Sequence, residues 1–135
     1  MRAGQNVPPV LFFFIMKYIA IGFTIFILVV ILLADRGQLG FLYFIYDFPY
    51  GDKLGHFILY GLLNFFLTRA FLSSGRTSSR NRVAFTTGLI LAVLIGAEEW
   101  SQQFFSTRTF SLMDLLASYL GLIAGGWAAL RIKRP

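Results

Sequence analysis

Apolar residues run almost unbroken through four stretches of this chain, about Val10 to Ala34, Leu54 to Leu72, Val83 to Phe105 and Leu112 to Leu130. Each meets or exceeds the roughly 17 residues that carry a helix across the hydrocarbon core of a bilayer. The pattern predicts an all-α membrane protein, a four-transmembrane-helix bundle forming a single domain over residues 1–135. Lys17 interrupts the first run, close enough to its N-terminal end for the long stem to reach the headgroups. That run is too long for the apolar part of a secretion signal, and Leu32-Leu33-Ala34-Asp35 lacks the small residue expected three positions before a cleavage site, so it is expected to be retained.

Composition agrees with the pattern. At 57% hydrophobic and 13% charged, the 135 residues hold too little polar surface to coat a soluble globule. A net charge of +6 could signal nucleic acid, but the basic residues flank apolar spans and no basic domain stands outside the membrane, so that partner is excluded. Their placement instead sets an orientation. Arg69, Arg76, Arg80 and Arg82 surround the second connection and Arg131, Lys133 and Arg134 form the tail, which puts both, and both termini, on the cytoplasmic side. The first connection and the turn between spans three and four then face outward. The first of these carries six aromatics in the ten residues from Phe41 to Tyr50, an interfacial segment of the kind that anchors a protein at headgroup depth. With no cysteine, neither a disulfide nor thiolate ligation is available.

The few ionisable groups left lie at the outward ends of the spans, where burial near lipid demands a partner or a purpose. Asp52, His56 and Tyr60 are spaced four apart and form one stripe on a helix. Asp52 also opens that helix, where a cap would explain it, but a cap does not explain His56, the single histidine of the chain. Span three ends in Glu98, Glu99, Ser101, Gln102 and Gln103, and adjacent glutamates about 100° apart on a helix do not share one partner equally. Ser111 stands three residues before Asp114, the spacing of a capping box. Arg108 offers a planar fork of donors to Glu99 or to an anionic group on a ligand. Gly121 and Gly125 make a small-xxx-small pattern suited to close helix packing.

These residues carry a resemblance. Asp52-Lys53-Leu54-Gly55-His56-Phe57 followed by Tyr60, then Glu99-Trp100-Ser101-Gln102, then Arg108 to Asp114 and Gly121, is similar to the VanZ-like family of small bacterial membrane proteins over about Asp52 to Gly126. The resemblance implies a multi-pass protein of the bacterial cytoplasmic membrane and a link, through the family's namesake, to low-level teicoplanin resistance. The family often carries Asn one turn after the Asp. Here Ser118 stands in that place.

Two functions compete. In the first, an outward-facing polar pocket binds or acts on a cell-envelope component, with His56 and Glu99 as acid and base and Asp52, Lys53, Tyr60, Gln102, Arg108 and Asp114 as ligand contacts; membrane lipid or a lipid-linked, anionic envelope molecule is the partner. In the second, the same groups form a structural network, Glu99 with Arg108 and Asp52 with Lys53 or His56, in a non-enzymatic scaffold. Proton or ion movement is disfavoured because the inner halves of spans two to four carry no acid or histidine to continue a path. A metal held by His56 with Asp52, Glu99 or Asp114 would be oxygen-rich and closer to magnesium, manganese or calcium than to zinc. No metal or other cofactor is assigned, and a homo-oligomer is compatible with the sequence.

Overall fold

The computed structural model describes residues 9–36, 51–73, 79–104 and 111–132, apart from the side chains of Pro9, Ala34, Asp35 and Asp52. Four α-helices follow in order: α1 (Pro9–Asp35), α2 (Gly51–Leu72), α3 (Arg80–Ser101), continued by a 3-10 turn over Gln102–Phe104, and α4 (Leu112–Arg131). All four are long and apolar enough to cross a membrane, and the described residues include no strand. The boundaries sit within four residues of the hydropathy runs, and α2 and α3 begin three residues before theirs, because Gly51-Asp52-Lys53 and Arg80-Asn81-Arg82 form their first turns. Pro9 stands at the first position of α1, where its missing N–H is no loss. The aromatic segment Phe41 to Tyr50, Arg76 and Arg108 lie outside the described residues.

Helix α2 is the centre of the bundle and touches all three others, most extensively α4. The reason lies in glycine. Gly121 faces the backbone carbonyl of Phe57, Gly125 faces that of Gly61, and a Cβ at either position would run into that carbonyl. A Cβ on Gly61 would in turn come within 3.0 Å of Gly121 O. Backbone thus meets backbone over two turns of α2 and α4, the contact that small residues provide where lipid is as apolar as leucine and burial alone gives little drive.

Hydrogen bonds complete what the glycines begin. Asn64, buried to 2%, donates to Leu122 O at 2.7 Å and accepts from Thr68 Oγ1 at 3.0 Å. Gly126 leaves the room for that amide, since a Cβ there would stand 3.0 Å from Asn64 Nδ2. On the other flank Tyr119 of α4 donates its hydroxyl to Ala92 O of α3 at 3.0 Å, and Gly96 lets the ring approach. Helix α1 packs against α2 through Met16, Ala20 and Ala70, with Phe12, Phe66 and Leu67 around them. A second core of Ile27, Tyr60, Leu63, Leu91, Ile95 and Leu122 joins all four helices. Outside these contacts the bundle is greasy: Phe85, Ile123 and Val93 are 71%, 69% and 65% exposed, as lipid-facing positions are.

One end of the bundle is closed by arginine. The last carbonyls of a helix lack intrahelical partners and carry the negative end of its dipole. At the end of α4, Arg69 donates to Ile132 O at 2.9 Å and to Ala129 O at 3.4 Å, while Arg80 reaches Leu130 O and Ile132 O at 3.1 and 3.0 Å. The Arg69 guanidinium also lies 5.6 Å from the centre of the Phe12 ring. The N-terminal part of α1 and the C-terminus of α4 are therefore on the same side of the bundle.

Candidate functional site

At the opposite end, the first turns of α2 and α4 meet the last turn of α3. Ser111 is the N-cap of α4, in extended backbone, and its Oγ accepts from Asp114 N at 3.2 Å. A capping box would return the favour, with the acid at the fourth position accepting from the N-cap N–H. Here the return bond comes from another helix: Glu99 Oε1 of α3 accepts from Ser111 N at 2.9 Å. The expectation of a capping box is therefore half correct. Ser111 caps, but Asp114 does not, and its carboxylate is directed elsewhere.

That carboxylate faces α2. Lys53 Nζ stands 3.4 Å from Asp114 Oδ1 and His56 Nε2 3.7 Å from Oδ2. The scaffold expectation paired Lys53 or His56 with Asp52. Both residues face Asp114, because the glycine contact between α2 and α4 brings their first turns side by side; the Asp52 side chain, on which that expectation rests, lies outside the described set. The Lys53 ammonium is within ion-pair range of Oδ1, yet that buried oxygen accepts no hydrogen bond among the described residues.

Ser118, only 1% exposed, closes the cluster from one turn deeper. Its Oγ lies 2.9 Å from Asp114 O and 3.4 Å from His56 Nδ1. A hydroxyl has one proton, and with that proton on the shorter contact Nδ1 becomes the donor to Oγ. Nε2 then faces the carboxylate oxygen Oδ2 at 3.7 Å, just beyond hydrogen-bond reach.

The remaining candidates divide. Glu99, 1% exposed, is close enough to His56 and Asp114 to feel their charges, but its one described hydrogen bond is to the α4 N-terminus. Gln102 donates to both oxygens of Glu98, at 2.9 and 3.1 Å, so the amide serves the outer glutamate. Tyr60 stacks one turn below His56, ring centres 5.9 Å apart at 30°, and sits in the core. Arg108 lies outside the described residues, so its pairing with Glu99 is an expectation still. No three His, Asp or Glu side chains come together as a ligand group among the described residues.

Sequence reasoning passed over Asn64 and Thr68, and took Arg69 only as a topology marker. The signal was present: two polar residues four apart in the middle of an apolar span, followed by an arginine, predict a buried face. No family model, curated protein or solved structure matches this chain.

Proposed function

We propose that the cluster of Lys53, His56, Asp114 and Ser118, with Glu99 behind it, is the working site of a VanZ-like protein that binds or acts on a cell-envelope component at the outer face of the bacterial cytoplasmic membrane, with a link to teicoplanin resistance. The observation that carries this reading is the release of the Asp114 carboxylate from capping. Glu99 does the structural task, which leaves Asp114 beside a lysine and a histidine with one oxygen that accepts no hydrogen bond among the described residues. An ammonium, an imidazole and a carboxylate acceptor suit a ligand that carries an anionic group beside hydrogen-bond donors. The His56–Asp114 pair supplies the proton-transfer group if a bond is made or broken, and Glu99 positions α4. Arg108, Asp52, Tyr60 and Gln102 complete the site by virtue of the resemblance. The positive-inside rule supports an outward aspect, since the arginine-closed end is the other one.

The test is the teicoplanin sensitivity of cells that carry His56→Ala or Lys53→Gln at membrane levels matched to the wild type. Both are expected to fall to the sensitivity of cells lacking the protein. Wild-type protection in both would remove the site.

A scaffold is the second reading, and one observation favours it: the contacts of Lys53 and of His56 with Asp114 both join α2 to α4. It expects Asp114→Lys to be lost from the membrane and the exchange Lys53→Asp with Asp114→Lys to restore accumulation. The site reading expects the exchanged chain to accumulate without protecting.

A further inference from the structure

The arginine-closed end holds more positive charge than the chain can answer. Five of the six acids, Asp35, Asp52, Glu98, Glu99 and Asp114, belong to helix ends at the opposite side of the bundle, and the sixth, Asp47, lies outside the described residues. Arg69 and Arg80 are committed to the last carbonyls of α4. Arg82 differs: among the described residues no hydrogen bond or ion pair engages it, and it is exposed on the first turn of α3. That turn is the positive end of a helix whose N-cap, Ser79, makes no side-chain cap bond.

Arg82 stands at the mouth of a groove. Because α1 leans on α2 and α3 leans on α4, a channel of about 490 Å³ is left between α1, α2 and α3, lined by Thr24, Leu67, Phe71, Ile90 and Leu94 below Arg82. The Thr24 hydroxyl is turned back onto Ala20 O at 2.7 Å, and apart from Thr86 and Thr87 the wall below Arg82 is otherwise apolar. Phe71, Ile90 and Leu94 are about half exposed, so the channel opens sideways toward lipid. From Arg82 to Leu94 the helix rises roughly 18 Å, close to the depth of one leaflet in a core about 30 Å thick. A cation at headgroup depth above an apolar slot one leaflet long has the shape of one phospholipid.

We infer that this groove is a binding site for an anionic phospholipid of the leaflet at the arginine-bearing end, with one acyl chain between α1 and α3 and the phosphate on Arg82 and the first turn of α3. The site is independent of the cluster at the other end. A zwitterionic lipid would present the same chain but bring its own cation to the phosphate, so the net charge of the head decides retention.

Native mass spectrometry of the purified full chain, titrated with phosphatidylglycerol or with phosphatidylcholine of the same acyl chains, tests it. The wild type is expected to retain one phosphatidylglycerol in preference to phosphatidylcholine. Arg82→Gln, at an exposed position with no hydrogen bond or ion pair among the described residues, should weaken phosphatidylglycerol about fivefold, and Ile90→Trp, which fills the slot, should weaken both lipids. Arg131→Gln, whose guanidinium lies over Trp127 on α4 at 5.0 Å, should change nothing. Equal retention of the two lipids, or unchanged binding by Arg82→Gln or Ile90→Trp, would overturn the inference. So would an equal loss in Arg131→Gln, which marks diffuse attraction, or displacement by inorganic phosphate, which marks a soluble anion.

Discussion

Glu99 and Asp114 exchange the tasks that their positions suggest. Three residues after Ser111, Asp114 is placed to complete a capping box, while Glu99 at the end of a helix is placed to be solvated. The first carboxylate is instead turned to Lys53 and His56, and the second is buried against the N–H that the first leaves open. Glu99→Gln keeps a side-chain oxygen for Ser111 N and is expected to leave thermal stability in detergent nearly unchanged. Glu99→Ala removes it, and the orphaned N–H should cost about 1–3 kcal/mol, read as a lower unfolding midpoint. If alanine were as stable as glutamine, Glu99 would not be the cap. The spacing of Ser111 and Asp114 was legible in the sequence, as were His56 and Glu99 as groups needing a reason. The exchange was not, because it depends on which helix stands beside α4, and a capping motif is read within one helix only.

At the scale of helices, the contact of α2 with α4 decides where those side chains meet. Gly121 and Gly125 were readable as a packing face, since two small residues one turn apart have few other uses in lipid. Their counterpart was not readable: Gly61 has no small residue at the matching spacing, and the other surface that Gly121 meets is the carbonyl of Phe57. Gly125→Leu would drive a side chain into the Gly61 backbone, which cannot give way, so α2 and α4 should separate and the variant should fail to accumulate as a folded monomer on size-exclusion chromatography. Wild-type elution and yield would contradict this packing. Asn64→Ala tests the polar half of the same contact. Loss of its bond to Leu122 O should destabilise by roughly 0.6–1.7 kcal/mol, the range for interhelical hydrogen bonds in lipid. The groove between α1 and α3 belongs to this scale too, and left no mark in the sequence, because a gap is a property of how helices lean.

For the molecule as a whole, the four spans were plain in the hydropathy pattern because lipid permits only helices that satisfy their own backbone. The pairing of ends follows from an even number of crossings and from the arginines that close α4 over the start of α1. Orientation rests on those same arginines. The chain has no cysteine, so single replacements report sidedness directly: Thr107→Cys should react with a membrane-impermeant maleimide in intact cells, and Ser79→Cys only after permeabilisation. The reverse result would turn the cluster of Lys53, His56 and Asp114 toward the cytoplasm. Asp114 is proposed as a working carboxylate and not a helix cap. Its most direct test is the teicoplanin sensitivity of cells carrying Asp114→Asn, a change that keeps size and polarity, at matched membrane levels. Sensitivity equal to that of cells without the protein is the expected result; protection equal to wild type, or no protection by the wild type itself, would contradict it.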